Sequence, residues 1–115
     1  MDYTKLSNKK FAYEMLDLLI IENKLTEEEI NLLTNAELCR SHFGCIKFPI
    51  LSEVHVNSIL EEGDCYDDSG RQRFYKDKFI IKDRAFIITN HWYGPNKSMN
   101  DNRTPFQNWV LEKCK

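Results

Sequence analysis

Apolar residues first recur at helical spacing. Phe11, Met15, Leu18 and Leu19 follow the 3.6-residue period, and Ala12 and Leu16 widen the stripe. Ser7 stands where an N-cap belongs, so the pattern predicts a first helix over residues 8–23. The next run, Leu25-Thr26-Glu27-Glu28-Glu29-Ile30, has the Thr-x-x-Glu spacing of a capping box. It also places acids in the first turn and apolar residues where a hydrophobic staple needs them. The same grammar returns at Leu33-Thr34-Asn35-Ala36-Glu37-Leu38, and Gly44 is placed as a C-cap. Two short helices joined by a tight turn satisfy both boxes; the rival is one unbroken helix from Glu27 to Phe43.

Periodicity fades between Cys45 and Asp68. Phe48-Pro49-Ile50-Leu51 is an apolar plug, and Val54 to Leu60 is expected to form a short strand or helix. Gly63 and Asp67-Asp68-Ser69-Gly70 are turn signals, beyond which the chain becomes aromatic and β-branched. Arg73-Phe74-Tyr75 reads as a short strand. Phe79-Ile80-Ile81 and Ala85 to Thr89 read as a β-hairpin around a three-residue tip, Lys82-Asp83-Arg84. Asn90 to Asn102, with Gly94-Pro95 and four Asn, reads as a surface loop. Thr104 as cap, Pro105 at the first helical position and Gln107 then open a last helix, with Phe106, Trp109 and Val110 on one side. The expected fold is α+β in a single domain, 1–115: N-terminal helices, an antiparallel β-hairpin or small sheet, then a C-terminal helix. That order is the layout of a winged helix-turn-helix.

Composition narrows the class. The 115 residues are 42% hydrophobic and include seven Phe, five Tyr and two Trp, enough for a packed core without metal, cofactor or disulfide. No apolar run approaches the ~20 residues of a membrane span, and no signal-peptide pattern follows Met1, so a cytoplasmic protein without membrane contact is expected. The four cysteines are therefore expected to be free thiols. The net charge of −2 conceals a division. Residues 1–69 hold 6 Lys/Arg against 14 Asp/Glu, a net of −8, and residues 70–115 hold 10 against 4, a net of +6.

That division motivates the first functional expectation, a non-enzymatic nucleic-acid-binding module that favours duplex DNA. Arg73, Lys76, Lys78, Lys82 and Arg84, interleaved with aromatic residues, would contact phosphates from the hairpin. Asn35, Arg40, Ser41 and His42 would face the major groove from the helix after Thr34. Glu37 on that helix and a pI of about 5.9 weigh against it, and edge lysines and arginines also serve simply to guard a sheet against aggregation. The alternative is a small inhibitor or adaptor that offers its acidic half to a basic protein partner, with Trp92 and Tyr93 as interface anchors. Against the anchors, Trp92 and Trp109 are also the residues expected to close a small core.

Other chemistry is thinner. Cys39-x-x-His42-x-x-Cys45, with Cys65 or His55 as a fourth ligand, has a spacing zinc tolerates but lacks the paired Cys-x-x-Cys knuckle, so core cysteines are expected instead. The acidic run Glu61, Glu62, Asp64, Asp67 and Asp68 breaks the calcium-loop pattern. Phosphate loops, His-Glu-x-x-His and Gly-x-Ser-x-Gly motifs do not occur, so no enzymatic activity is expected.

Overall fold

A computed structural model describes residues 3–45, 48–94 and 101–115. After a single 3₁₀ turn at Tyr3–Lys5, helix α1 spans Asn8–Glu22. The Ser7 side chain accepts a hydrogen bond from the Lys10 N–H at 3.3 Å, and Asn23 ends the helix in the left-handed conformation. The buried stripe is Phe11, Ala12, Met15, Leu16 and Leu19, as the period predicts.

Thr26 and Glu29 form the reciprocal capping box that opens α2, Glu27–Leu33. Helix α3 follows as a separate element, Ala36–Phe43, so the unbroken helix is excluded. The break is local chemistry. Asn35 takes an extended conformation and its side chain accepts from the Leu38 N–H at 3.0 Å, while the Thr34 hydroxyl bonds back to the Ile30 carbonyl at 2.9 Å. The second cap is thus Asn35 and not Thr34. Gly44 closes α3 at φ 79°, where a glycine is least strained.

Strand β1 is Leu51–Val54, just before the segment expected to be regular. It pairs antiparallel with a strand more than thirty positions later, Leu51 opposite Ile88 and Val54 opposite Ala85. Residues 55–60 form a turn and irregular chain, and Glu62–Cys65 is a 3₁₀ turn. The hairpin comprises β2, Phe79–Ile81, and β3, Arg84–Ile88, in a sheet of order β1-β3-β2. Its tip is two residues, not three. Lys82 and Asp83 both have positive φ, 52° and 66°, as a type I′ turn requires, and Arg84 already lies in β3 opposite Ile81. Arg73-Phe74-Tyr75 is not a strand but makes one bridge, Phe74 to Thr89; the Arg73 and Phe74 N–H groups both turn to the Cys65 carbonyl.

Central strand β3 is covered on both faces. Phe86 and Ile88 join the helical core, whereas Ile87 packs with Cys65 and Phe74 in a smaller cluster beneath the 60–75 segment. Helix α4, Arg103–Lys113, seals the helical side through Phe106 and Val110. Its cap is supplied by Asp101, which accepts from the Thr104 N–H at 2.9 Å and its hydroxyl at 2.7 Å; Thr104 therefore sits inside the first turn and Pro105 at the third position.

The expected surface loop before α4 is in part interior. Trp92 is wedged between Phe11 and Phe106, each ring centre 5.3 Å away, and Asn102 is buried. The Asn102 amide donates to the His91 carbonyl and accepts from the Tyr93 N–H, both at 2.8 Å. The remainder, 95–100, lies outside the described residues. Among the described residues the architecture is α+β, four helices and a small antiparallel sheet. No described helix is long and apolar enough to cross a membrane.

Candidate functional site

Three of the five hairpin cations, Arg73, Lys78 and Arg84, are anchored within the fold. Arg84 shares a face of β3 with Phe86, and Glu53 stands opposite Phe86, so the two charged side chains meet on the diagonal of the ladder. Arg84 Nε and Nη2 donate to both Glu53 oxygens at 3.0 and 2.8 Å, and Nη1 donates to Glu27 at 2.8 Å. The bonds from Arg84 hold the Glu53 carboxyl below the usual range against the small opposing effect of burial. One guanidinium therefore ties β3 to β1 and to the start of α2.

Arg73 is enclosed in a second network. Its Nε donates to Asp67 at 2.6 Å, its Nη1 to His91 Nε2 at 2.8 Å, and its plane lies 4.9 Å from the Phe48 ring centre. Asp67 also accepts from the Ser69 hydroxyl and N–H and from the Arg71 N–H. The Ser69 hydroxyl, the backbone donors and Arg73 keep its carboxyl ionised far into acid. An arginine can only donate, so His91 Nε2 accepts and the ring proton sits on Nδ1, 3.4 Å from the Tyr93 hydroxyl. Burial and then the Arg73 charge hold the His91 pKa below its ordinary value.

Lys78 donates to the carbonyls of His55, at 2.7 Å, of Val56, at 3.3 Å, and of Ser58. The Lys76 ammonium lies 5.4 Å from the Tyr66 ring centre. Lys82 stands out at the turn, exposed and outside any ion pair among the described residues. On α3, the Asn35 side chain is engaged as the cap, and the His42 Nδ1–H donates to the Leu38 carbonyl at 3.0 Å. Arg40 and Ser41 are exposed, beside the equally exposed Glu37.

Of the two aromatic candidates, Trp92 is 3% exposed and its Nε1 donates to the Thr89 carbonyl at 2.8 Å, which removes it as a surface anchor. Tyr93, at 38%, is accessible. Cys39 and Cys45 are buried, and His42 lies on the exposed side of α3. Among the described residues no three His, Cys, Asp or Glu side chains converge on a point where a metal would sit. Its bond to the Cys45 sulfur and burial raise the Cys39 pKa, so it is a neutral thiol.

The exposed charges outside these networks are of both signs, with Lys5, Lys10, Lys24 and Arg71 among the cations. Glu14, Asp17 and Glu22 on α1 and Glu28 on α2 are exposed, and none is ion-paired among the described residues. A further surface carries no periodic signal in the sequence. Three adjoining depressions, about 400, 140 and 380 Å³, run from Glu53 and His55 past Glu61 to Cys65 and Lys76. The first two share His55 and Asp64, and the last two share Ile59, Leu60 and Glu61, so they form one trough. Compared with known protein families, with curated proteins and with solved structures, the chain matches none.

Proposed function

We propose that the domain is a non-enzymatic protein-binding module, an adaptor or inhibitor that offers an acidic surface to a basic partner. The observation that carries this reading is the fate of the hairpin cations. Arg73 and Arg84 are closed in carboxylate networks and Lys78 on backbone carbonyls, so these three charges are already compensated and poorly placed for phosphate. Glu14, Asp17 and Glu22 on α1, Glu28 on α2, and Glu61 and Asp64 beyond β1 have no ion-pair partner among the described residues, and their field attracts a basic surface.

The winged-helix, nucleic-acid reading is supported by element order and by the exposure of Lys82, Arg40 and Ser41. Parallel titrations at low salt separate the two. A labelled duplex DNA and a labelled Lys/Arg-rich peptide are each added to the full chain and followed by fluorescence anisotropy. The peptide is expected to bind, with affinity falling as salt rises. Duplex binding tighter than ~10 μM, weakened by Lys82→Ala, would replace the protein-binding reading with the nucleic-acid one.

A further inference from the structure

The trough places apolar and acidic groups in an order that a partner has to match. Ile59 is 92% exposed, the most exposed large apolar residue among those described, and Val56 is 43% exposed on the same turn. Folding leaves both uncovered although the chain between them is not loose. The Lys78 ammonium is bonded to three carbonyls of residues 55–58, which holds that turn in one conformation and lowers the entropy a ligand would have to overcome. At the middle of the trough, the Asp64 carboxylate accepts from the Glu61 N–H at 2.9 Å, so the two acids are fixed side by side. Among the described residues no cation pairs with either. Glu53, at one end, is neutralised by Arg84, and the other end is marked by Lys76.

Resting on the protein-binding reading, we propose that this trough is the docking site, and that its occupant is an extended partner segment with one large apolar side chain flanked on one side by Lys or Arg. The apolar side chain covers Ile59 and Leu60, where burial of aliphatic surface supplies affinity. The basic flank lies over Glu61 and Asp64. A second copy of this chain is a poor occupant, because it would oppose one pair of carboxylates with another. Nucleic acid is a poor occupant for the same reason, its phosphates meeting Glu61 and Asp64.

The test is an amide chemical-shift titration of the isotope-labelled full chain with three synthetic peptides: one with Leu-Phe followed by three Lys, one with Ala-Ala in place of Leu-Phe, and one with Glu in place of Lys. The first is expected to shift amides 54–65 and 76. Ile59→Glu should weaken it about tenfold, the loss typical of a central interface anchor. Because that side chain is almost wholly exposed, the variant should fold. Glu61→Lys with Asp64→Lys should reverse the preference toward the Glu peptide. Shifts centred on Glu14 and Asp17 and indifferent to Ile59→Glu would overturn the trough while leaving the protein-binding reading in place. Absence of shifts with every peptide at ~1 mM, a concentration that reveals even millimolar affinity, also overturns the trough. If a duplex DNA then shifts residues 82–84, the protein-binding reading falls with it.

Discussion

Arg103 is 5% exposed, with no carboxylate among the described residues in its hydrogen-bond shell, and makes the sharpest stability test of the fold. Its Nη1 donates to the Leu6 carbonyl and the Asn8 side-chain oxygen, both at 3.0 Å, and its Nη2 to the Tyr3 carbonyl at 2.8 Å. Its guanidinium carbon lies 4.3 Å from the centre of the Phe11 ring. Arg103→Ala removes three donors and the cation over the ring. At about 1 kcal/mol per hydrogen bond and about 1 kcal/mol for the ring contact, the loss is about 4 kcal/mol. At ~4 °C per kcal/mol for a domain of this size, the melting temperature should fall by ~16 °C. Arg103→Lys keeps the charge but not the fork, so about half the loss is expected. Urea and thermal unfolding followed by circular dichroism measure both, and amide exchange should show residues 3–8 losing protection first. The reasoning is refuted if Arg103→Met is as stable as the parent, since desolvation of the cation would then equal all that its bonds return.

Asp83→Gly should stabilise by ~0.5–1 kcal/mol in the same urea assay, because it relieves a non-glycine residue held at φ 66°. Gly94→Ala should do the opposite, by ~2 kcal/mol or more: φ is 104°, and a Cβ there would lie 2.3 Å from the Asp101 carboxylate that caps α4. His91 is held neutral in the folded state, so its contribution is complete above the ordinary pKa of 6.5 and is lost as pH falls through the lower folded value. Unfolding midpoints measured across that window should therefore decline on acidification, and less steeply in His91→Gln. Melting with and without a chelator and a reductant should agree within ~2 °C, the outcome for a domain of this size that needs no staple; a collapse on chelation would mark Cys39, His42 and Cys45 as a metal site.

The starts of α1 and α2 were legible because their causes are local. The Thr26–Glu29 box and the Ser7 cap each depend on residues three apart. Strand β1 was not, since nothing near Leu51–Val54 makes it a strand; its definition is the register with Ile88 to Ala85. The hairpin tip was read one residue too long because Lys82-Asp83 lacks the Asn-Gly chemistry that usually marks a two-residue turn. Thr104-Pro105 imitated a helix start convincingly, while the actual cap, Asp101, sat three residues ahead in a segment read as loop. The pairing of charges was the least legible feature. A count of lysines and arginines says where cations are, but Glu27 lies 57 and Glu53 31 positions from Arg84, so the compensation appears only after folding. The trough was hidden for the same reason, being assembled from a turn, a 3₁₀ segment and a residue beyond both.

The bond from Arg103 to the Tyr3 carbonyl spans 100 positions of sequence, and Lys113 reaches back to Glu29 across 84. On the ribosome, the α1 stripe of Phe11, Met15 and Leu19 is made early, yet the helix that covers it is made late. Even after the sheet and Trp92 have been made, that greasy face still lacks Phe106 and Val110, and the loop that finally closes over it runs from Tyr3 to Arg103. A nascent chain stalled before residue 103 would therefore display an open apolar face. Such a face is what holdase chaperones bind, so α4 acts as the late latch that ends the exposure.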